Sequence, residues 1–383
     1  MAATRREVLG AGVSLLVAPL VGCNSPSRAG ASAAGATSLT PPASPPPSVA
    51  QRILEANRHY DAQFHHGLSN HLSMAIVALH ELGAPDARLS EFFERYRSRL
   101  EPVPERRDPV VPARWAESLG TQSRYADYLA FFQAEVARAG ANGAVRTYLP
   151  ALMPGVAGSS FHPLIRLGYA VHARDAADVA VSLAYFADQF LRLGGAPVPA
   201  VSSSSGGPLD LLRSIADTPA LAHHPQANGA IFDQIRAVAA MPEFAASASS
   251  ALATRDVTVP SLAEAAAALY TAAPNFTSLH VVTSAHALRV LSPLLDDPAA
   301  ASRWLLQAFV AAYVAMGTPA VNRDEDRART EASAPPSWEA IAAAAAASND
   351  EHVIKMVYTC REEAGAYRQP LYQSFAAKKA GLA

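Results

Sequence analysis

From Val49 onward, apolar residues recur at spacings of three and four, the pattern of helices with one buried face. Helices are predicted by the segments "AQRILEANRHYDAQF", "HLSMAIVALHEL", "LSEFFERYRSRL", "RYADYLAFFQAEVARA", "PLIRLGYAVHA", "DVAVSLAYFADQFLRL", "LAEAAAALYTAA", "SRWLLQAFVAAYVAMG" and "SWEAIAAAAAA". No segment alternates convincingly in the manner of a strand. The interruptions carry stop chemistry: Leu82-Gly83-Ala84-Pro85 ends one helix, Gly194-Gly195-Ala196-Pro197 ends another, and Ser202 to Gly207 is a loop. With no clean repeat and no linker inside it, the stretch 49–383 predicts a single all-α, multi-helix domain.

The residues before it follow a different rule. Residues 1–23 hold a twin arginine (Arg5, Arg6), an uncharged apolar stretch from Val8 to Val21, and Leu20-Val21-Gly22-Cys23, which resembles the lipobox of bacterial lipoproteins. The expectation is a signal peptide for export to the cell envelope or periplasm, with a lipid anchor at Cys23 as the membrane contact. Residues 24–48 are rich in Ser, Ala, Gly and Pro, too polar and too small to bury a core, and predict a disordered tether.

Half of the chain is hydrophobic, and 31 Lys and Arg against 33 Asp and Glu leave a formal charge of -2. Like charges form only short pairs such as Arg106-Arg107, so nucleic acid is not the expected partner. Cys23 and Cys360 are the only cysteines, which excludes a disulfide framework and a thiolate zinc site. Any metal has to be held by nitrogen and oxygen.

Twelve histidines are present, and most sit where water reaches them. His59, His65, His66, His172, His223 and His224 fall among loops or charges, and His80 suits the end of its helix, where a cation is favoured. His71, His162, His280 and His352 share another setting. Each follows Ser, Thr, Asn or Asp at the start of a predicted helix. There the positive end of the helix dipole disfavours imidazolium and keeps a lone pair available for a metal. His286 lies six residues after His280, about 120° around a helix, so both cannot face one centre and His286 reads as support or packing. In "DEHVIKMV", Lys355 follows His352 by nearly one turn, inside an apolar run that ought to be packed. An ammonium is costly in such a place, and burial drives its pKa down.

The blocks "GLSNHLSMAIVALHELGA", "SSFHPLIRLGYAV", "SLHVVTSAHALR" and "DEHVIKMV" resemble, in this order, those of the questin oxidase-like proteins. The resemblance implies an all-helical oxygenase acting on a hydrophobic aromatic, polyketide-like substrate with O2, by ring cleavage or Baeyer-Villiger-type oxidation. It also implies a mononuclear Fe(II) held by His71, His162, His280, His352 and a carboxylated Lys355. NADPH as a reductant belongs to some members, yet no GxGxxG after a strand is visible in the mature region. Tyr60, Tyr169 and Tyr358 are further candidates, either for the pocket or equally for the core. Two other readings remain open: a metal-dependent hydrolase with a carboxylated lysine, in which bound water is the nucleophile, and a non-catalytic helical lipoprotein binding module. The second predicts that the four histidines scatter in space.

Overall fold

The computed structural model describes residues 47–383 apart from 66, 122, 195–205, 223–228 and 322–334. The expected signal peptide, lipobox and nearly all of the tether lie outside the described residues, as do His66, His223 and His224. Among the described residues, no helix is long and apolar enough to cross a membrane.

The body is all-α. Helix α1 (Val49–Asn57) opens on Ser48, whose side chain forms a capping box with Gln51. The helical pattern read through to Phe64 breaks after Asn57. In its place Gln63–Phe64 (β1) and Leu68–Ser69 (β2) pair as a short antiparallel hairpin. Asn70 accounts for the break: its side chain donates to Asn57 and to the Asp61 carbonyl, and it accepts from Leu72 N–H, satisfying backbone that a longer helix would have used.

There follow α2 (Leu72–Glu81), α3 (Asp86–Arg97) and α4 (Tyr125–Leu152), the last kinked at Gly140, whose φ of 73° no regular helix accommodates. Next come α5 (His162–His172) and α6 (Ala176–Asp188), which ends five residues earlier than its apolar pattern suggests. Helices α7 (Pro208–Ala216), α8 (Pro219–Ala222), α9 (Ile231–Ala239) and α10 (Phe244–Ala253) are short. They lead into α11 (Val259–Ala272), α12 (Phe276–Leu291) and α13 (Pro298–Ala315). The chain finishes with α14 (Trp338–Ala347), α15 (Glu351–Tyr367) and α16 (Leu371–Lys379).

Helices α2, α6 and α12 are buried on nearly every side, from Leu72 to Leu79, Asp178 to Asp188 and Thr277 to Leu288. Such helices cannot be surface elements and must form the centre of the bundle. Helix α5 packs against α6 and α12, and α15 packs against α2 and α12. At the α5–α12 crossing Gly168 lies against Ala287: a Cβ on Gly168 would sit 2.9 Å from the Cα and Cβ of Ala287. The missing side chain lets two backbones approach closely, and these two helices carry His162 and His280.

Candidate metal centre

The four histidines meet. His71 is the N-cap of α2, His162 opens α5, His280 lies in the second turn of α12, and His352 is the second residue of α15. Ring centroids are 4.6 Å apart for His71 and His162, 4.7 Å for His71 and His352, 4.6 Å for His162 and His280, and 5.5 Å for His280 and His352. One nitrogen from each of His71, His162 and His352 falls within a 4.8 Å group. The Nε2 atoms of His162 and His280 are 3.0 Å apart.

The outer nitrogens are tied down. His162 Nδ1 lies 2.5 Å from the Ser159 carbonyl, His280 Nδ1 2.7 Å from the Phe276 carbonyl, and His352 Nδ1 3.2 Å from Asp350 Oδ1. A carbonyl only accepts, so Nδ1 carries the proton in His162 and His280 and the inner Nε2 carries the lone pair. This outer-shell support orients metal-binding histidines and fixes their tautomer. His71 Nδ1 stands 3.5 Å from Glu351 Oε1. Both nitrogens of His71 and the Nε2 of His352 are buried without a hydrogen-bond partner. Each such orphan costs about 1–3 kcal/mol unless something else satisfies it.

Protonation is not what satisfies them. Burial first, and the positive charge of Lys355 next, hold His71 and His162 well below the ordinary histidine range. His280 is held down by burial and by the neighbouring His162 and His352. His352 is lowered by burial, a shift that the Asp350 hydrogen bond only partly offsets. The centre is thus a set of neutral imidazoles presenting lone pairs to one another. For metal–nitrogen bonds of about 2.1 Å, two ligands at a right angle lie about 3.0 Å apart, which matches the spacing of His162 and His280. The donor set fits a metal ion.

Lys355 is 1 % exposed, and burial pushes its pKa down to about 7, although Glu351 and Asp350 pull the other way. Its charge is felt by all four histidines. His286 is not in this centre. It is buried beside Glu363, with Nδ1 2.6 Å from Oε1, and Arg289 Nε reaches the same oxygen at 2.7 Å.

A cavity of about 540 Å³ opens onto the cluster. Its floor holds His71, His162 and His352, and Phe64, Ile231, Phe232 and Phe276 supply apolar wall. Phe276 is half exposed and rests its ring edgewise on His280 and His352, with centroids 4.6 and 4.5 Å apart. Of the candidates Tyr60, Tyr169 and Tyr358, none lines this cavity, and Tyr169 and Tyr358 are core residues. Tyr60 pairs with Pro102, and Tyr169 and Tyr358 pack near His286, away from the opening.

Several residues at the site were not expected from the sequence. Glu351 stands at the first position of α15. Asp350 caps the helix, which leaves Glu351 to reach His71 on one side and Arg99, at 3.3 Å, on the other. Tyr96 accepts from the backbone N–H of His71 at 3.0 Å, and the Arg99 guanidinium lies 4.0 Å above the Tyr96 ring. The turn before His162 has Ser159, Ser160 and Phe161 all left-handed, at φ 45°, 55° and 69°. Left-handed backbone costs a non-glycine residue about 1–2 kcal/mol. Its neighbour Gly158 packs so closely on the Gln189 carbonyl that no Cβ fits there. Strain of this kind is held in place by surrounding packing and clusters at functional sites.

Fold and site together define an all-helical protein with a buried histidine-rich centre under an apolar cavity. The chain belongs to the questin oxidase-like family, whose model matches residues 68–360 and so takes in all four histidines and Lys355. Among curated proteins, the oxidoreductase AflY of Aspergillus parasiticus is 30% identical over 118 residues. That stretch is 27% of this chain and 24% of the relative, so the likeness spans only about a quarter of the curated protein.

Proposed function

We propose that the chain is an oxidoreductase, an oxygenase that uses a mononuclear non-heme iron(II) and O2 on a hydrophobic aromatic substrate. His71, His162, His280 and His352 would hold the metal through nitrogen, and Lys355 would complete the set. The carrying observation is the pair of inward lone pairs on His162 and His280, 3.0 Å apart, in rings that burial keeps neutral. Family membership and the oxidoreductase relative support the redox reading over a structural one.

Bound there, iron would supply electron exchange with O2. The chain's own residues do the rest. The apolar cavity wall takes the substrate and displaces water from the histidine floor. Lys355, with its pKa near 7, has a neutral amine fraction that can add carbon dioxide: the nitrogen lone pair bonds to the carbon, one N–H proton leaves to water, and an anionic carbamate results. The starts of α2, α5 and α15 all end at this centre, and their positive dipole ends favour such an anion. Glu351, already 3.5 Å from His71, favours a second reading in which a carboxylate assists a metal-bound water and the chain is a hydrolase.

Elemental analysis of protein purified without oxygen separates these readings, run beside Lys355→Ala. The proposal expects about one iron per chain, reduced in the variant and partly restored by added acetate. Zinc in place of iron would favour the hydrolase. No bound metal, with folding intact, would return the histidines to the core.

A further inference from the structure

Beside the cavity three hydroxyls stand together. Ser69 Oγ is 2.6 Å from Tyr185 Oη, Ser159 Oγ is 2.5 Å from the same oxygen, and the two serines are 3.4 Å apart. Both serines line the cavity, whereas Tyr185 is buried behind them on α6 at 1 % exposure.

Proton counting makes this group directional. Tyr185 has one proton and two serine neighbours, so it donates to one and accepts from the other. The serine that accepts from Tyr185 keeps its own proton free. Either serine can be the one that accepts from Tyr185, and in both arrangements one serine keeps its proton; Gln63 Nε2 adds a long donation to Ser159 at 3.4 Å. At 3.4 Å the two serines bond each other only weakly, so the remaining serine proton is left for another acceptor. The natural acceptor lies in the cavity. Ser159, in a left-handed conformation, is also the residue whose carbonyl fixes the His162 tautomer.

We propose that Ser69, Ser159 and Tyr185 form a hydrogen-bonding subsite for an oxygen atom of the bound ligand, with the two serines facing it as the donor pair and Tyr185 as the positioning residue behind them. The subsite fixes the ligand's oxygen relative to His162, because one residue serves both. This rests on the reading of the cavity as the substrate site but not on the identity of the metal. Burial pushes Tyr185 up to about 12, so it remains a proton donor across the neutral range.

The test is fluorescence titration of the metal-free full chain with 2-naphthol and with naphthalene, which differ by one hydroxyl. The quantity read is the ratio of the two Kd values. Replacing Ser69 and Ser159 together by Ala is expected to reduce the preference for 2-naphthol about tenfold, and Tyr185→Phe about threefold, as losses of one good and one indirect hydrogen bond. Naphthalene binding should be unchanged in every variant. Ser69→Ala alone, which leaves the strained turn intact, guards against a misfolded double variant and should also reduce the preference. An unaltered ratio, an equal loss of both ligands, or no binding of either by the wild type would overturn the subsite. A chain that takes up no iron yet keeps the hydroxyl preference would remove the oxygenase reading and leave the subsite standing.

Discussion

The Nε2 atoms of His162 and His280 face each other at 3.0 Å, each ring donating its Nδ1–H to a backbone carbonyl. Two lone pairs at that distance repel unless a cation lies within reach of both. The folded chain is therefore expected to gain stability from a metal in a way that its isolated helices would not. With iron(II) at about a hundred times its Kd, binding to the folded state alone adds about 2.7 kcal/mol. A thermal melt under nitrogen should show the midpoint rising with added iron(II) in the wild type and not in His280→Ala. An equal rise in both would place the metal elsewhere.

Gly168 controls how closely those two rings approach. A methyl group at this position would press on the Cα and Cβ of Ala287 at 2.9 Å, so Gly168→Ala must push α5 and α12 apart. Overpacking of this sort costs about 1–3 kcal/mol. Metal affinity should fall as well, because His162 and His280 move with their helices. Ala287→Gly added to Gly168→Ala should recover part of both losses in melting and metal titration. Recovery of stability without recovery of affinity would uncouple the crossing from the centre.

The helices and the histidine set were legible because each leaves a mark that survives without a partner. A helix shows its apolar spacing, and His71, His162, His280 and His352 stand beside cap residues at helix starts. Lys355 stood out as a charge in an apolar run. The rest depended on tertiary placement. Glu351 reads as a capping carboxylate until Asp350 takes that role, and Arg99 and Tyr96 look like ordinary members of α3 and the turn after it. Ser159 to Phe161 contain no glycine to announce a left-handed run, since packing around the turn imposes it. The hairpin after Asn57 was hidden because its residues also fit a helical period; only the Asn70 hydrogen bonds decide against it.

One turn beyond His162, Arg166 pairs with Asp178 across α5 and α6. Nη2 and Nε lie 2.6 and 3.1 Å from Oδ1, and Arg166 is 1 % exposed. Removing one partner leaves the other charge buried. Asp178→Ala should cost about 3–5 kcal/mol, whereas Arg166→Met with Asp178→Leu should recover most of it. Chemical denaturation of the three variants checks this. A double variant no more stable than Asp178→Ala would show that the pair does more than neutralise itself.

Glu363 gives the fold an acid-sensitive point away from the histidine centre. Burial alone would raise its pKa, but the His286 hydrogen bond and the Arg289 guanidinium outweigh it and hold the carboxyl below its usual value of 4.5. A carboxylate lowered on folding contributes stability that is fully present above its unfolded pKa and is lost as pH falls through the folded one. Its neighbours on the packed elements are His286 and Arg289 from α12, with Cys360, Tyr367 and Tyr372 nearby. The melting temperature of the wild type should hence decline as pH is lowered below about 4.5, and Glu363→Gln should start lower at neutral pH and decline less steeply over that interval. Parallel curves for the two proteins would assign the acid sensitivity to other carboxylates.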